Sequence, residues 1–324
     1  MLGLFRNHYP FNHLFVLIYI FLIRHYCFIE PQSDVSLNGS WLYQYILSFF
    51  TSLVLQNIFA VIVLWVQSIL INTMVSTHKL GRETTLFAGL FYVLFFSLSK
   101  ESLALSPILL SNLFLILGIY NIVESTKHVD IRHHLFNSGL FITISALIYP
   151  PYLLIVILGV IGFHTMKSLK SYGNIQYLTG VLSALILIFG FQYVTNGVLE
   201  HSFYFQLIKF DFLKNVIPLP LIILISLYVL FIIIVLFQYS DLMSKKSIQT
   251  RKKIELFYLL LVFFGFSAII FYKNDPTDIY TIALPLGVLF GIRLSELKPI
   301  TISEIVHLFL LICLIFIQYN VISF

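Results

Sequence analysis

The feature that most constrains this chain is a repetition: apolar segments of about 15 to 23 residues follow one another along most of its length, separated by short polar gaps. An unpaired backbone N–H or C=O is too costly in hydrocarbon, so segments of this length imply helices. The pattern predicts an all-α, polytopic transmembrane bundle forming a single integral membrane domain over residues 1–324. Spans are expected at about 11–29, 57–76, 84–99, 106–123, 135–149, 152–166, 174–195, 217–239, 256–272, 279–293 and 305–322, about eleven in all. The first is too long for a signal peptide and lacks a small-residue cleavage site, so it is expected to remain as an anchor.

Composition agrees where it matters. Only 10% of residues are charged and 59% are hydrophobic, against about 25% charged in an ordinary soluble domain. Fourteen of the 19 Lys and Arg fall in alternate loops, the arrangement that places the N-terminus and those loops in the cytoplasm. The net charge of +5 is therefore a topology signal and implies no nucleic-acid partner. The basic loop Ser240 to Glu255, with Lys245, Lys246, Arg251, Lys252 and Lys253, suits anionic lipid head groups.

Two loops on the outer side suggest helices lying along the membrane surface. One is Trp41 to Val54, where Gln44, Ser48, Thr51 and Ser52 form a polar stripe. The other is the region 196–215, where Leu199, Phe203, Leu207 and Phe210 run beside Glu200, His201, Lys209, Asp211 and Lys214. Gly287 with Gly291, and Gly159 with Gly162, are spaced for close helix packing. Pro150 and Pro151 divide two short segments, as a tight turn or a discontinuous helix would.

Ionisable groups in or near lipid are the natural candidates for chemistry. Arg24 and His25 stand near the outer end of the first span, just before Glu30 and Asp34. The expectation is that all four face one outer cavity: Arg24 and His25 hold a phosphate, while Glu30 or Asp34 acts as a base. A snorkelling Arg24 is the plainer alternative. Lys100 with Glu101, and Lys273 to Asp278, add charge to the outer side. Cys27 and Cys313 form no metal-type spacing, and the cluster His128, Asp130, Arg132, His133 and His134 fits no zinc pattern, so no metal site is expected. Nothing in the sequence identifies a cofactor.

The runs FRNHYPFNHLFVLIYIFLIRHYCF, VQSILINTMVSTHKLGRETTLFAGLFYVLFFSL, LSPILLSNLFLILGIYNI and FNSGLFITISALIYPP resemble an uncharacterised family of multi-pass inner-membrane proteins of Bacteroidota-type bacteria. The resemblance implies location and span number and supplies no catalytic residue. In architecture the chain also resembles the GT-C membrane glycosyltransferases, which use polyprenyl-phosphate-linked sugars. There an acidic residue of the first outer loop acts as base or organises a metal, and Glu30 or Asp34 matches it by position. The chain has no paired Asp-Glu motif in that loop and little periplasmic structure. Three classes of function stay open on the sequence: a glycosyltransferase-like enzyme, a lipid or small-molecule transporter or flippase, and a non-catalytic subunit of an envelope or secretion assembly with membrane-protein partners.

Overall fold

A computed structural model describes residues 2–6, 9, 11–30, 40–126, 131–166, 171–196, 219–244, 246–270, 276–297 and 300–319. Among them the fold is all helical, with no strand. In chain order the helices are α1 (Asn12–Ile23), α2 (Tyr26–Ile29), α3 (Trp41–Ser48), α4 (Leu53–Thr77), α5 (Phe87–Phe96), α6 (Pro107–Glu124) and α7 (Arg132–Ile148). They continue with α8 (Leu153–Met166), α9 (Ser171–Asn196), α10 (Leu219–Phe237), α11 (Tyr239–Ser244), α12 (Ile248–Ile270), α13 (Ala283–Glu296) and α14 (Ile300–Gln318). Five helical stretches are long and apolar enough to cross a membrane: Leu53–Thr77, Pro107–Glu124, Gly173–Asn196, Asp278–Glu296 and Thr301–Gln318. Large apolar side chains such as Ile186 and Leu187 on α9, Phe237 on α10 and Ile305 on α14 lie on the outside, the surface expected of a bundle solvated by lipid.

Local chemistry explains where helices start. Ser52 Oγ accepts from the Leu55 N–H at 3.2 Å and so caps α4. Ser106 Oγ does the same for Leu109 at 3.2 Å, with Pro107 at the first position of α6, where a missing N–H costs nothing. The cap at Ser52 corrects the expectation of one surface helix over Trp41 to Val54. Helix α3 stops at Ser48, and Thr51 and Ser52 belong to the break before α4 rather than to a continuous polar stripe. The surface helix expected near 196–215 lies, beyond Asn196, outside the described residues. Pro150 and Pro151 form a tight 3-10 turn over Pro150–Tyr152 between α7 and α8.

At the centre stands α5, with every residue buried. It is gripped from both sides through glycine. A Cβ on Gly89 would lie 2.4 Å from Ser68 Oγ of α4, and Cβ atoms on Gly287 and Gly291 of α13 would lie 2.4 and 2.5 Å from the Cα atoms of Tyr92 and Ala88. The expected close packing at Gly287 and Gly291 is thus backbone against backbone. A second such contact joins α7 and α9, where Gly139 and Gly180 each meet the other helix's main chain.

Ten residues of α5 rise only about 15 Å, half the ~30 Å of a hydrocarbon core. The chain turns over residues 97–106, most of which are buried, so their backbone groups need partners within the protein. Side chains from distant helices supply them. Tyr228 Oη of α10 donates to the Phe95 carbonyl at 2.7 Å, and Gln318 Nε2 of α14 to that of Ser97 at 2.6 Å. Tyr43 Oη of α3 donates to Leu105 O at 2.6 Å, and Gln67 Nε2 of α4 to Leu109 O at 2.6 Å.

Candidate functional site

The same turn organises the strongest candidate site. Glu101–Leu103 is a single 3-10 turn that ends in extended backbone at Ala104. The extended backbone at Ala104 stops the turn from continuing as a helix, so the carbonyls of Ser102 and Leu103 need partners from elsewhere. Arg24 supplies them. Its Nη2 donates to Ser102 O at 3.0 Å and also to Leu103 O. It stands at the break between α1 and α2, in line with the buried Ile20 one turn before it, and its guanidinium is fully buried.

Arg24 is therefore away from solvent and shares no exposed face with His25. His25 is exposed on the other side of the break. The Arg24 guanidinium has no carboxylate in ion-pair contact among the described residues, and its Nε and Nη1 are buried without hydrogen-bond acceptors. Burying a cation costs several kcal/mol even after relaxation, and two carbonyl dipoles compensate only part of that. A buried, incompletely satisfied cation at a break in backbone regularity is a candidate functional residue.

Around it the two nearest chain segments carry carboxylates held by phenols. Tyr26 Oη donates to Glu30 Oε2 and accepts from Lys100 Nζ at 2.8 Å, with the ammonium 4.5 Å from the Tyr26 ring centroid. Glu101 Oε2 accepts from Ser99 Oγ, and Tyr280 Oη lies 2.5 Å from that same Oγ and 3.4 Å from the carboxylate. Both Glu30 and Glu101 remain exposed, so each is oriented from behind and open in front. Asp278, by contrast, is buried and accepts from Tyr149 Oη. Asp34 lies outside the described residues, as do Lys273 and Asp275.

Deeper in, Tyr92 Oη donates to Gln67 Oε1 at 2.7 Å and accepts from Asn112 Nδ2 at 3.3 Å, while Tyr152 Oη donates to Asn112 Oδ1 at 2.6 Å. This dry chain ties α4, α5, α6 and the Pro150–Tyr152 turn together. Reading the sequence for ionisable residues passes over it, because Gln67 and Asn112 are neutral and tyrosine counts as hydrophobic. The signal that finds it is the presence of amides inside two long apolar spans, Gln67 in α4 and Asn112 in α6.

Among the described residues no three His, Cys, Asp or Glu side chains gather to hold a metal ion. His128 and Asp130 fall outside those residues, and His134 Nδ1 lies 3.1 Å from Asn121 Oδ1.

No curated protein and no solved structure matches the chain. A family model does match, over residues 41–324, and so begins after Arg24, His25, Glu30 and Asp34. The chain belongs to the family of unknown function DUF6427.

Proposed function

We propose that this chain is a multi-pass inner-membrane protein acting at its outer face on a substrate carried by a lipid phosphate, in the manner of a GT-C-like glycosyltransferase. The observation that carries the reading is Arg24: a fully buried guanidinium with two open nitrogens, set at a buried backbone turn beside two oriented carboxylates. In this reading α1, α4 to α10 and α12 to α14 cross the membrane alternately, about eleven crossings, with the N-terminus in the cytoplasm. The charges support that orientation, since Arg6, Lys79, Arg82, Arg132, Lys246, Arg251 and Arg293 lie at helix ends opposite the Arg24 end.

Mechanistically, Arg24 anchors the donor phosphate and Glu30, aligned by Tyr26, takes the proton of an acceptor hydroxyl. The acceptor oxygen bonds to the transferred carbon as the bond from that carbon to the phosphate oxygen breaks. The lipid phosphate leaves with the electron pair, its charge facing Arg24. Glu101, aligned by Ser99 and Tyr280, is a second base in reach of the same turn. His25, exposed beside the break, is assigned no phosphate contact in this reading.

The test is turnover of polyprenyl-phosphate-linked sugars by the protein in nanodiscs, read as release of free lipid phosphate. Glu30→Gln and Glu101→Gln are expected to leave insertion and thermal stability intact, and at least one to lower turnover 100-fold or more. Full turnover in both variants removes the enzymatic reading. A transporter is the second reading, favoured by the polar chain from Gln67 to Tyr152 at the centre of the bundle. It predicts lipid movement between leaflets without any bond being broken.

A further inference from the structure

At the opposite end of the bundle a cavity of about 690 Å³ opens between the end of α4, α11, the start of α12 and the end of α13. Four cations line it, Lys79, Arg82, Lys246 and Arg293, against two carboxylates. The carboxylates are already engaged: Glu296 pairs with Lys246, and Asp241 Oδ2 lies 3.2 Å from Arg293 Nη2. Lys79 and Arg82 are left with no carboxylate in ion-pair contact among the described residues, because the neighbouring Glu83 pairs with Arg6 at 2.9 Å. The Ser247 and Thr250 hydroxyls, 3.0 Å apart, add donors at the start of α12.

Lys79 carries a second, independent mark. Helix α4 ends with the Leu80 N–H bonded to Val75 O at 3.0 Å and the Lys79 N–H to Ser76 O at 3.2 Å. That pair of bonds is the Schellman motif, whose left-handed position is ordinarily glycine. Here it is Lys79, with φ of 50°, the one non-glycine residue with positive φ among those described. A lysine is a strained choice there unless its side chain serves a purpose, and this one lines the cavity.

We propose that this cavity binds a phosphate-bearing anion, with Lys79 and Arg82 supplying the charge that its own carboxylates do not neutralise. The volume falls within the range of about 300 to 1,000 Å³ of small-molecule sites and exceeds what a single phosphate needs, so it suits a phosphorylated head group or a pyrophosphate. The site is separate from Arg24 and does not depend on the reading given for that end.

The experiment uses the full chain in nanodiscs, with Lys79→Gly and Arg82→Gln. Glycine relieves the backbone strain, so Lys79→Gly is expected to melt at or above the wild-type temperature while losing the anion. Pyrophosphate added to phosphatidylcholine nanodiscs, and phosphatidylglycerol incorporated without added pyrophosphate, distinguish a soluble ligand from a lipid. A rise in melting temperature of several degrees in one arm, screened by salt and lowered at least tenfold in apparent affinity by either substitution, supports the site and identifies its source. No response in either arm, or a response in both variants equal to that of the wild type, overturns it.

Discussion

Arg24 and Ser102, 78 residues apart in sequence, meet at 3.0 Å from guanidinium nitrogen to carbonyl oxygen, with the arginine wholly out of solvent. The contact joins the break between α1 and α2 to the turn between α5 and α6. Arg24 follows Ile20 by four residues, so the buried face of α1 already directs it inward. Without the turn no carbonyls would be free to receive it. Two of its nitrogens, both buried, have no acceptor, and the proposed phosphate contact rests on them.

Tyr92→Phe removes one oxygen and leaves Gln67 Oε1 without its donor and Asn112 Nδ2 without its acceptor. The expected loss is about 1 to 2 kcal/mol of unfolding free energy in mixed detergent micelles. An unchanged unfolding midpoint would show that the chain from Gln67 to Tyr152 is not the tie it is taken to be.

Gly287→Val should cost more, because its Cβ would already sit 2.4 Å from the Tyr92 Cα and the two helices must separate. A loss of about 3 kcal/mol is expected from such overpacking. Gly265→Ala, where nothing lies within 4 Å of the new Cβ, should be neutral or slightly stabilising. Thermal unfolding of the two side by side decides whether α5 is clamped as described.

His78 joins α4 to both α6 and α12: Lys253 Nζ lies 3.1 Å from Nδ1, and Glu124 Oε2 lies 2.8 Å from Nε2. An ammonium only donates and a carboxylate only accepts, so Nδ1 is the acceptor and Nε2 carries the proton. His78→Leu parts two largely buried charges and is expected to cost about 3 kcal/mol. Glu83→Gln, which breaks the exposed pair with Arg6, should cost less than about 1 kcal/mol. Similar losses in the two variants, in chemical unfolding, would contradict this ranking.

Much of the fold is legible in the sequence because a helix in an apolar solvent needs only length and hydropathy. Each segment expected to span carries a helix, and the helix-packing role of Gly287 and Gly291 follows from their spacing. The shortness of α5 is not legible, since residues 84–99 read as one apolar run. What ends the helix is a set of side-chain bonds to its carbonyls from Tyr228 and Gln318, more than a hundred residues away. The candidate site is legible only in part. Arg24 and Glu30 stand out by charge, but the carbonyls of Ser102 and Leu103 that receive Arg24 are revealed by no spacing. Glu101 reads as a solvated loop until Ser99 and Tyr280 are brought to it.

The most direct test of the central claim is the affinity of the nanodisc-embedded protein for a polyprenyl phosphate against the uncharged polyprenol, measured by native mass spectrometry. The wild type is expected to prefer the phosphate at least tenfold. Arg24→Gln, checked for folding by its melting temperature, is expected to lose that preference, and Arg24→Lys to keep part of it. A wild type that binds both lipids alike, or a folded Arg24→Gln that still prefers the phosphate, would contradict the account.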